Sequence, residues 1–323
     1  MRIVVIGGTG HVGSYLVPRL VRGGHQVLSL SRGNRQPYVE DRAWDEVTQI
    51  TVDRDAEDAA GTFGSLVSEL DPDVVIDMLC FTLDSAASLV AGIRGRVDHL
   101  IHCGSIWMHG PSAKIPITEE NGSPPLGEYG IQKAAIARML TEETTNGGLV
   151  TTSLHPGHIS GPGWAVINPV GNLDPTVWER LAGGAELNIP GLGAELMHHV
   201  HADDVAQAFV LAVEHRDPAA GQAFNVTAPS ALTVRGFAEI AAGWFGREAL
   251  LNSVSWEEFR AQTGDENADT SWAHLSRSQC MSIDKARRRL DYQPAYEPEA
   301  AAKEAVRWLI EHNKLNVDTP IQA

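Results

Sequence analysis

The sequence predicts an α/β fold: a doubly wound parallel sheet with a small C-terminal substrate-binding lobe. Three observations carry this. Ile3 to Ile6 is an apolar run that ends abruptly in Gly7-Gly8-Thr9-Gly10-His11-Val12-Gly13, and the amphipathic series Val12, Leu16, Leu20, Val21 follows, which reads as strand, turn and helix. Val74-Val75-Ile76-Asp77-Met78-Leu79-Cys80 is a run of the kind a parallel strand buried on both faces requires. Strand-like and helix-like stretches alternate along the first half, the pattern of a parallel sheet with crossover helices.

The glycines of the first turn permit a tight bend, let a pyrophosphate approach the backbone and let the helix start close to the strand, while its free N–H groups face the anion. Two frames fit, Gly8-x-Gly10-x-x-Gly13 and Gly7-x-x-Gly10-x-x-Gly13. Pro18 lies beyond the first turn of the helix, so a local bend is expected there. A second strand, Gln26 to Leu30, stops at Ser31-Arg32-Gly33. NAD-selective sites carry an acidic residue in this place for the ribose hydroxyls; Ser31 and Arg32 suit a 2′-phosphate instead, with Arg35 as a second contact. NADP(H) is favoured, with NAD(H) as the alternative.

A third strand, Gln49 to Val52, ends at Asp53, which falls near the adenine edge. After a helix through Phe63, Leu66, Val67 and Leu70, the fourth strand brings Leu79, Cys80 and Phe81 toward the nicotinamide half, Cys80 as core filler. Helix Ser85 to Ile93, strand His99 to Cys103, helix Glu128 to Glu143 and strand Val150 to Leu154 complete the first part. From Gly161 to Met197 the pattern loosens into proline- and glycine-rich loops around a helix at Thr176 to Leu181, where the lobe begins. Helix Asp203 to Glu214, strand Ala223 to Val226 and helices Val234 to Phe245, Ile283 to Leu290 and Pro298 to Asn313 follow; residues 252–280 carry no clear pattern. We divide the chain into a nucleotide-binding core, 1–160, and a mixed region, 161–323, that completes the core and forms the lobe.

The 323 residues carry a formal charge of −16, which argues against nucleic acid as a partner. Cys80, Cys103 and Cys280 are far apart and show no C-x-x-C spacing, so a reducing setting is expected, and with no run of about eighteen apolar residues a cytoplasmic protein without membrane association is expected. His198-His199-x-His201-x-Asp203-Asp204 invites a metal reading. Alternation on a strand sends His199 and His201 to one face, Asp203 is expected to cap the next helix, and no metal is assigned. Trp107, Trp164 and Trp178 are expected near the pocket mouth, as lining or as core.

Tyr129-Gly130-Ile131-Gln132-Lys133 sets a tyrosine and a lysine four apart on one helix face, and a nearby ammonium favours phenolate, bringing the phenol toward general acid/base work. Together with Ser105 after an apolar strand, His155-Pro156-Gly157, Gly161-Pro162-Gly163 and Val200-His201-Ala202-Asp203-Asp204, the chain resembles the extended, epimerase/dehydratase-like short-chain dehydrogenase/reductase family. The resemblance runs nearly end to end. It selects the frame Gly7, Gly10, Gly13 and implies a Rossmann sheet, NAD(P)-dependent hydride transfer at a secondary alcohol or carbonyl carbon, and a homodimer through the helices Ser85–Ile93 and Glu128–Glu143.

By that resemblance Ser105 hydrogen-bonds the substrate oxygen, Tyr129 exchanges the hydroxyl proton, and Lys133 lowers the pKa of Tyr129 and binds the nicotinamide ribose. Gly7, Gly10, His11, Val12, Gly13, Ser31, Arg32, Asp53, Leu79, Lys133, Pro156 and His158 form the cofactor set. The implied activity is that of an oxidoreductase or epimerase acting on a small molecule, possible substrates being a sugar or sugar nucleotide; the alternatives are an NADPH-dependent reductase of a small ketone or aldehyde and a non-catalytic dinucleotide-binding regulator. Ile106-Trp107 stands where 4,6-dehydratases carry Asp-Glu, which argues against that reaction. Met197 and His155 stand where nucleotide-sugar enzymes of the family carry arginines.

Overall fold

The computed structural model describes residues 1–322. Its first part alternates as expected: β1 (Arg2–Ile6), α1 (Gly13–Arg22), β2 (Gln26–Ser31), β3 (Thr48–Thr51), α2 (Arg54–Ala60), α3 (Phe63–Glu69), β4 (Val74–Asp77), α4 (Leu83–Ile93), β5 (His99–Cys103), α5 (Gly127–Thr145) and β6 (Thr151–Pro156). The remainder comprises β7 (His158–Ser160), α6 (Thr176–Gly183), β8 (Leu187–Pro190), β9 (Leu196–Met197), β10 (His199–His201), α7 (Ala202–Glu214), α8 (Arg216–Ala219), β11 (Gln222–Val226), β12 (Leu232–Thr233), α9 (Val234–Trp244), β13 (Leu251–Val254), α10 (Trp256–Thr263), α11 (Asp265–Leu275), α12 (Asp284–Leu290) and α13 (Pro298–Glu311).

Seven parallel strands form the main sheet in the order β11-β6-β5-β4-β1-β2-β3. The chain winds outward from β1 to β3, returns to β4 on the other side of β1, and continues to β11. That reversal opens a crevice at the carboxyl ends of β1 and β4, where open α/β sheets take their ligands. Apolar side chains fill both faces: Leu16, Val17 and Leu20 of α1 pack with Phe209 of α7 on one side, and Phe63, Leu89 and Ile136 pack on the other. A separate core built on Trp178, Phe237 and Trp244 holds the lobe together.

Three local departures from the sequence reading have physical causes. β4 stops at Asp77 rather than running to Cys80, because the Asp77 carboxylate is drawn into a buried ion pair, accepting from Arg54 Nη1 at 2.5 Å and from the Leu79 N–H at 3.1 Å. His201, not Asp203, caps α7: its Nδ1 accepts the Asp203 N–H at 3.0 Å, which frees the Asp203 carboxylate for a two-pronged pair with Arg19 on α1 at 2.7 Å. Residues 252–280 resolve into the end of β13, α10 and α11, polar because their exposed faces dominate. α1 runs unbroken from Gly13 to Arg22 with Pro18 buried on it. Among the described residues, no helix is long and apolar enough to cross a membrane.

Candidate active site

The crevice at the switch point is floored by the glycine turn. Gly7 sits at φ +89°, a left-handed backbone that favours glycine. At Gly13 a Cβ would fall 2.1 Å from the Gly8 carbonyl oxygen, so α1 starts this close to β1 only because that position has no side chain. Gly7, Gly10, Ser31, Arg32, Asp53 and Leu79 line one groove of about 290 Å³, with Arg35 and Phe81 beside them. This surface fits a dinucleotide: backbone free of side chains at the turn, an arginine at the end of β2, and no carboxylate there.

Other members of the expected cofactor set lie off that groove. Val12 is buried at the start of α1. His11 is buried too, its ring stacked on Trp164 at 5.7 Å, and burial pushes its pKa down to about 4. Asp53 has a second, structural job, its carboxylate accepting the Asp55 and Ala56 N–H groups to cap α2. Pro156 is buried at the end of β6. His158 belongs to a neighbouring cavity of about 200 Å³, lined also by Ser105, Trp107, Tyr129, Gly157 and His274.

This second cavity brings together two of the three expected catalytic residues, Ser105 and Tyr129, while Lys133 lies outside its lining. Ser105 follows β5; its N–H donates to His155 Nδ1 at 3.2 Å, and its hydroxyl accepts the Trp107 N–H at 3.2 Å. Tyr129, on the first turn of α5, is 40% exposed and meets Trp107 edge-on at 5.8 Å. Lys133 is buried one turn further on, its Nζ donating to the carbonyls of Cys80 and Cys103 at 2.7 and 2.8 Å.

The ammonium lies 5.7 Å from the Tyr129 ring centroid, and the expected lowering of the Tyr129 pKa is not found. Burial pushes the Tyr129 phenol above its ordinary value, with the Ser105 hydroxyl opposing, while burial also lowers the Lys133 ammonium. The two carbonyls hold the charge that the spacing alone would assign to the tyrosine.

Of the three tryptophans, only Trp107 lines this cavity. Trp164 belongs to a groove beside the glycine turn, and Trp178 is core of the lobe, packed on Phe237 and Trp244 because its helix turns inward there. The histidine-rich stretch separates into individual partners. His198 lies against the Ala228 carbonyl and the Met281 N–H, His199 against Ser160, and His201 against Glu304 and the Tyr296 ring, so β10 does not gather them. Among the described residues no cluster could hold a metal ion.

Sequence reasoning missed His274, which enters the cavity from α11, and the buried Arg277, whose guanidinium lies 4.0 Å from the Trp107 ring. Both fall in the stretch without periodicity. Cys80 is buried, and burial pushes its thiol up to about 12, as suits a core residue.

The NAD dependent epimerase/dehydratase family model matches residues 3–227, the part holding the glycine turn, Ser105, Tyr129 and most of the sheet. The chain belongs to this family. The family's epimerases and reductases of the extended short-chain type are enzymes, and the Rossmann sheet described above is their fold. Among its relatives, 2'-dehydrokanamycin reductase of Streptomyces kanamyceticus is 29% identical over 214 residues, 64% of this chain and 56% of that protein, so the match spans little more than half of the reductase. Chloroplast stem-loop binding protein of 41 kDa b of Arabidopsis thaliana is 24% identical over 306 residues, 92% of this chain and 76% of that protein. The UDP-glucose 4-epimerase of Thermotoga maritima, solved with UDP-glucose, shares the fold at a TM-score of 0.71 and 20% identity, covering 97% of this chain and 100% of that one.

Proposed function

We propose that this protein transfers hydride between NADP(H) and the carbon of a secondary alcohol or carbonyl in a small hydroxylated molecule. One observation carries the reading: Ser105 and Tyr129 share a cavity at the carboxyl end of β5, beside the groove that the glycine turn floors. The cofactor, when bound, supplies or accepts the hydride. Gly7, Gly10 and Gly13 hold its pyrophosphate against bare backbone and the start of α1. Ser105 donates to the substrate oxygen, Tyr129 delivers or removes the proton on that oxygen, and Lys133, buried behind Tyr129, is the donor for the nicotinamide ribose. Oxidation of NADPH followed at 340 nm with carbonyl compounds tests the reading. Stoichiometric consumption marks net reduction, whereas an epimerisation leaves the cofactor unchanged after each turnover.

Support for NADP(H) comes from the residues at the end of β2. Arg32 and Arg35 line the groove with Ser31, and no carboxylate ends the strand. A charge-assisted hydrogen bond to a 2′-phosphate contributes about 1.5–3 kcal/mol. Arg32→Ala is therefore expected to weaken NADPH binding about tenfold or more and to leave NADH binding unchanged, both read by fluorescence titration; an unchanged NADPH affinity removes the basis for the preference.

The same reading extends to a homodimer through α4 and α5, which pack side by side and are bridged by Arg94 and Glu143 at 2.6 Å. Light scattering is expected to return twice the chain mass of 34.8 kDa, and a monomer at micromolar concentration contradicts it.

A further inference from the structure

Resting on the hydride-transfer reading, we propose that the substrate is an uncharged, hydroxylated carbonyl compound of about monosaccharide size, recognised by His158, and not a nucleoside diphosphate sugar. The first reason is the cavity's lining. Ser105, Ile106, Trp107, Tyr129, Gly157, His158 and His274 line an open cavity of about 200 Å³, below the ~300–1,000 Å³ of sites that bury larger ligands. No lysine, arginine or carboxylate is among them.

His158 supplies the second reason. Both its ring nitrogens are shut off from solvent and neither has a hydrogen-bond partner, although the ring forms part of the cavity wall. A buried polar group left without a partner is costly, so a turn of the ring that brings one nitrogen to the cavity face gains this imidazole a partner in whatever fills the cavity. Its ring lies 5.0 Å from that of His274 and 5.5 Å from that of His199, and burial with these neighbours keeps it neutral. A neutral imidazole presents one N–H and one lone pair. A hydroxyl, which both donates and accepts, matches it; a diphosphate only accepts, and its charges need cations in a desolvated site.

No cation reaches the cavity lining, and the nearest, Lys133, holds its Nζ on the Cys80 and Cys103 carbonyls. Arg277 lies against Trp107 without lining the cavity, and its terminal nitrogens donate to the Ala273 carbonyl and, at 2.7 Å, to the Leu126 carbonyl. In the lobe, Arg180 is tied to the Glu186 carbonyl and Arg235 to the Leu192 carbonyl and Ser253.

The test uses the full chain saturated with NADPH. UDP titrated calorimetrically at millimolar concentrations is expected to give no binding heat, and free keto-hexoses and cyclic hydroxyketones are expected to be reduced with higher kcat/KM than a UDP-linked 4-keto sugar. His158→Leu should raise KM for the free carbonyl compound about tenfold with NADPH affinity unchanged, and His158→Gln should recover part of the loss. Micromolar UDP binding, preference for the UDP-linked sugar, or a His158→Leu variant that weakens NADPH in place of the carbonyl substrate overturns the proposal. Failure of the hydride-transfer reading shows differently, as no NADPH oxidation with either class of carbonyl, while the UDP titration still reads the charge preference of the cavity.

Discussion

Replacing Tyr129 with phenylalanine is expected to reduce turnover by roughly 10²–10⁴-fold, the usual contribution of a positioned general acid or base, with the affinity for NADPH unchanged. The substitution removes one oxygen and leaves the ring that meets Trp107 edge-on, so packing is preserved. The ring is already 40% exposed, and the hydrogen bond lost is the one with the half-buried Ser105 hydroxyl, which keeps the Trp107 N–H as a partner. The raised pKa of Tyr129 adds a direction. A phenol held above its ordinary value of about 10 stays protonated through neutral pH. It is poised to give a proton to a carbonyl oxygen, which is the reductive direction. The reductive rate should therefore be flat through neutral pH and fall only in alkali, whereas oxidation of an alcohol should climb as the phenol ionises. Retention of full turnover by Tyr129→Phe, or a reductive rate that falls below pH 8, removes Tyr129 from the role of acid.

The parts of this site that were legible in the sequence are those fixed by local geometry. A glycine that must lie 2.1 Å from a carbonyl oxygen, if given a Cβ, leaves its mark in the sequence as glycine, and a continuous apolar run leaves its mark as a buried strand. The i, i+4 spacing of Tyr129 and Lys133 placed both on one helix, yet it said nothing of the carbonyls of Cys80 and Cys103, which come from the ends of two other strands and take the ammonium away from the phenol. The same limit hid the Arg54–Asp77 pair. Its members are 23 residues apart, and the apolar pattern around Asp77 gave no hint that β4 would end there. Histidines misled for a related reason. Clustered in sequence at 198–201, they disperse to separate partners, while the rings of His158 and His274, far apart in the chain, come within 5.0 Å. Only tertiary packing determines which imidazole reaches a cavity and which completes a helix.

That histidine-rich interior is expected to make the protein acid-labile. Burial holds His11, His99 and His198 at pKa values of about 4 and His155 and His199 at about 3, against 6.5 for the ordinary side chain. In the native state they remain neutral as pH falls below 6.5, while in the unfolded chain they take up protons. Their contribution is whole above 6.5 and is lost progressively as pH drops toward the folded values. The slope is about 1.4 kcal/mol per pH unit for each group, so each costs about 2 kcal/mol by pH 5. Several such groups together approach the roughly 5–15 kcal/mol that separates native from unfolded in a typical domain. Cooperative unfolding near pH 5 is the expected result, read by circular dichroism, with the melting temperature constant above pH 7. His99→Leu isolates one term. The Nδ1 of His99 is sealed without a partner, and its Nε2 meets Thr152, whose hydroxyl keeps the Ala219 carbonyl as a second partner. Any packing loss from the substitution acts equally at all pH values and cancels when the variant's stability relative to the parent is compared between pH 8 and pH 5. That comparison should favour the variant by about 2 kcal/mol at the lower pH. A parent protein whose melting temperature is the same at pH 7 and pH 5 would show that the buried imidazoles are not held neutral, and with that the neutral wall assigned to the substrate cavity would lose its basis.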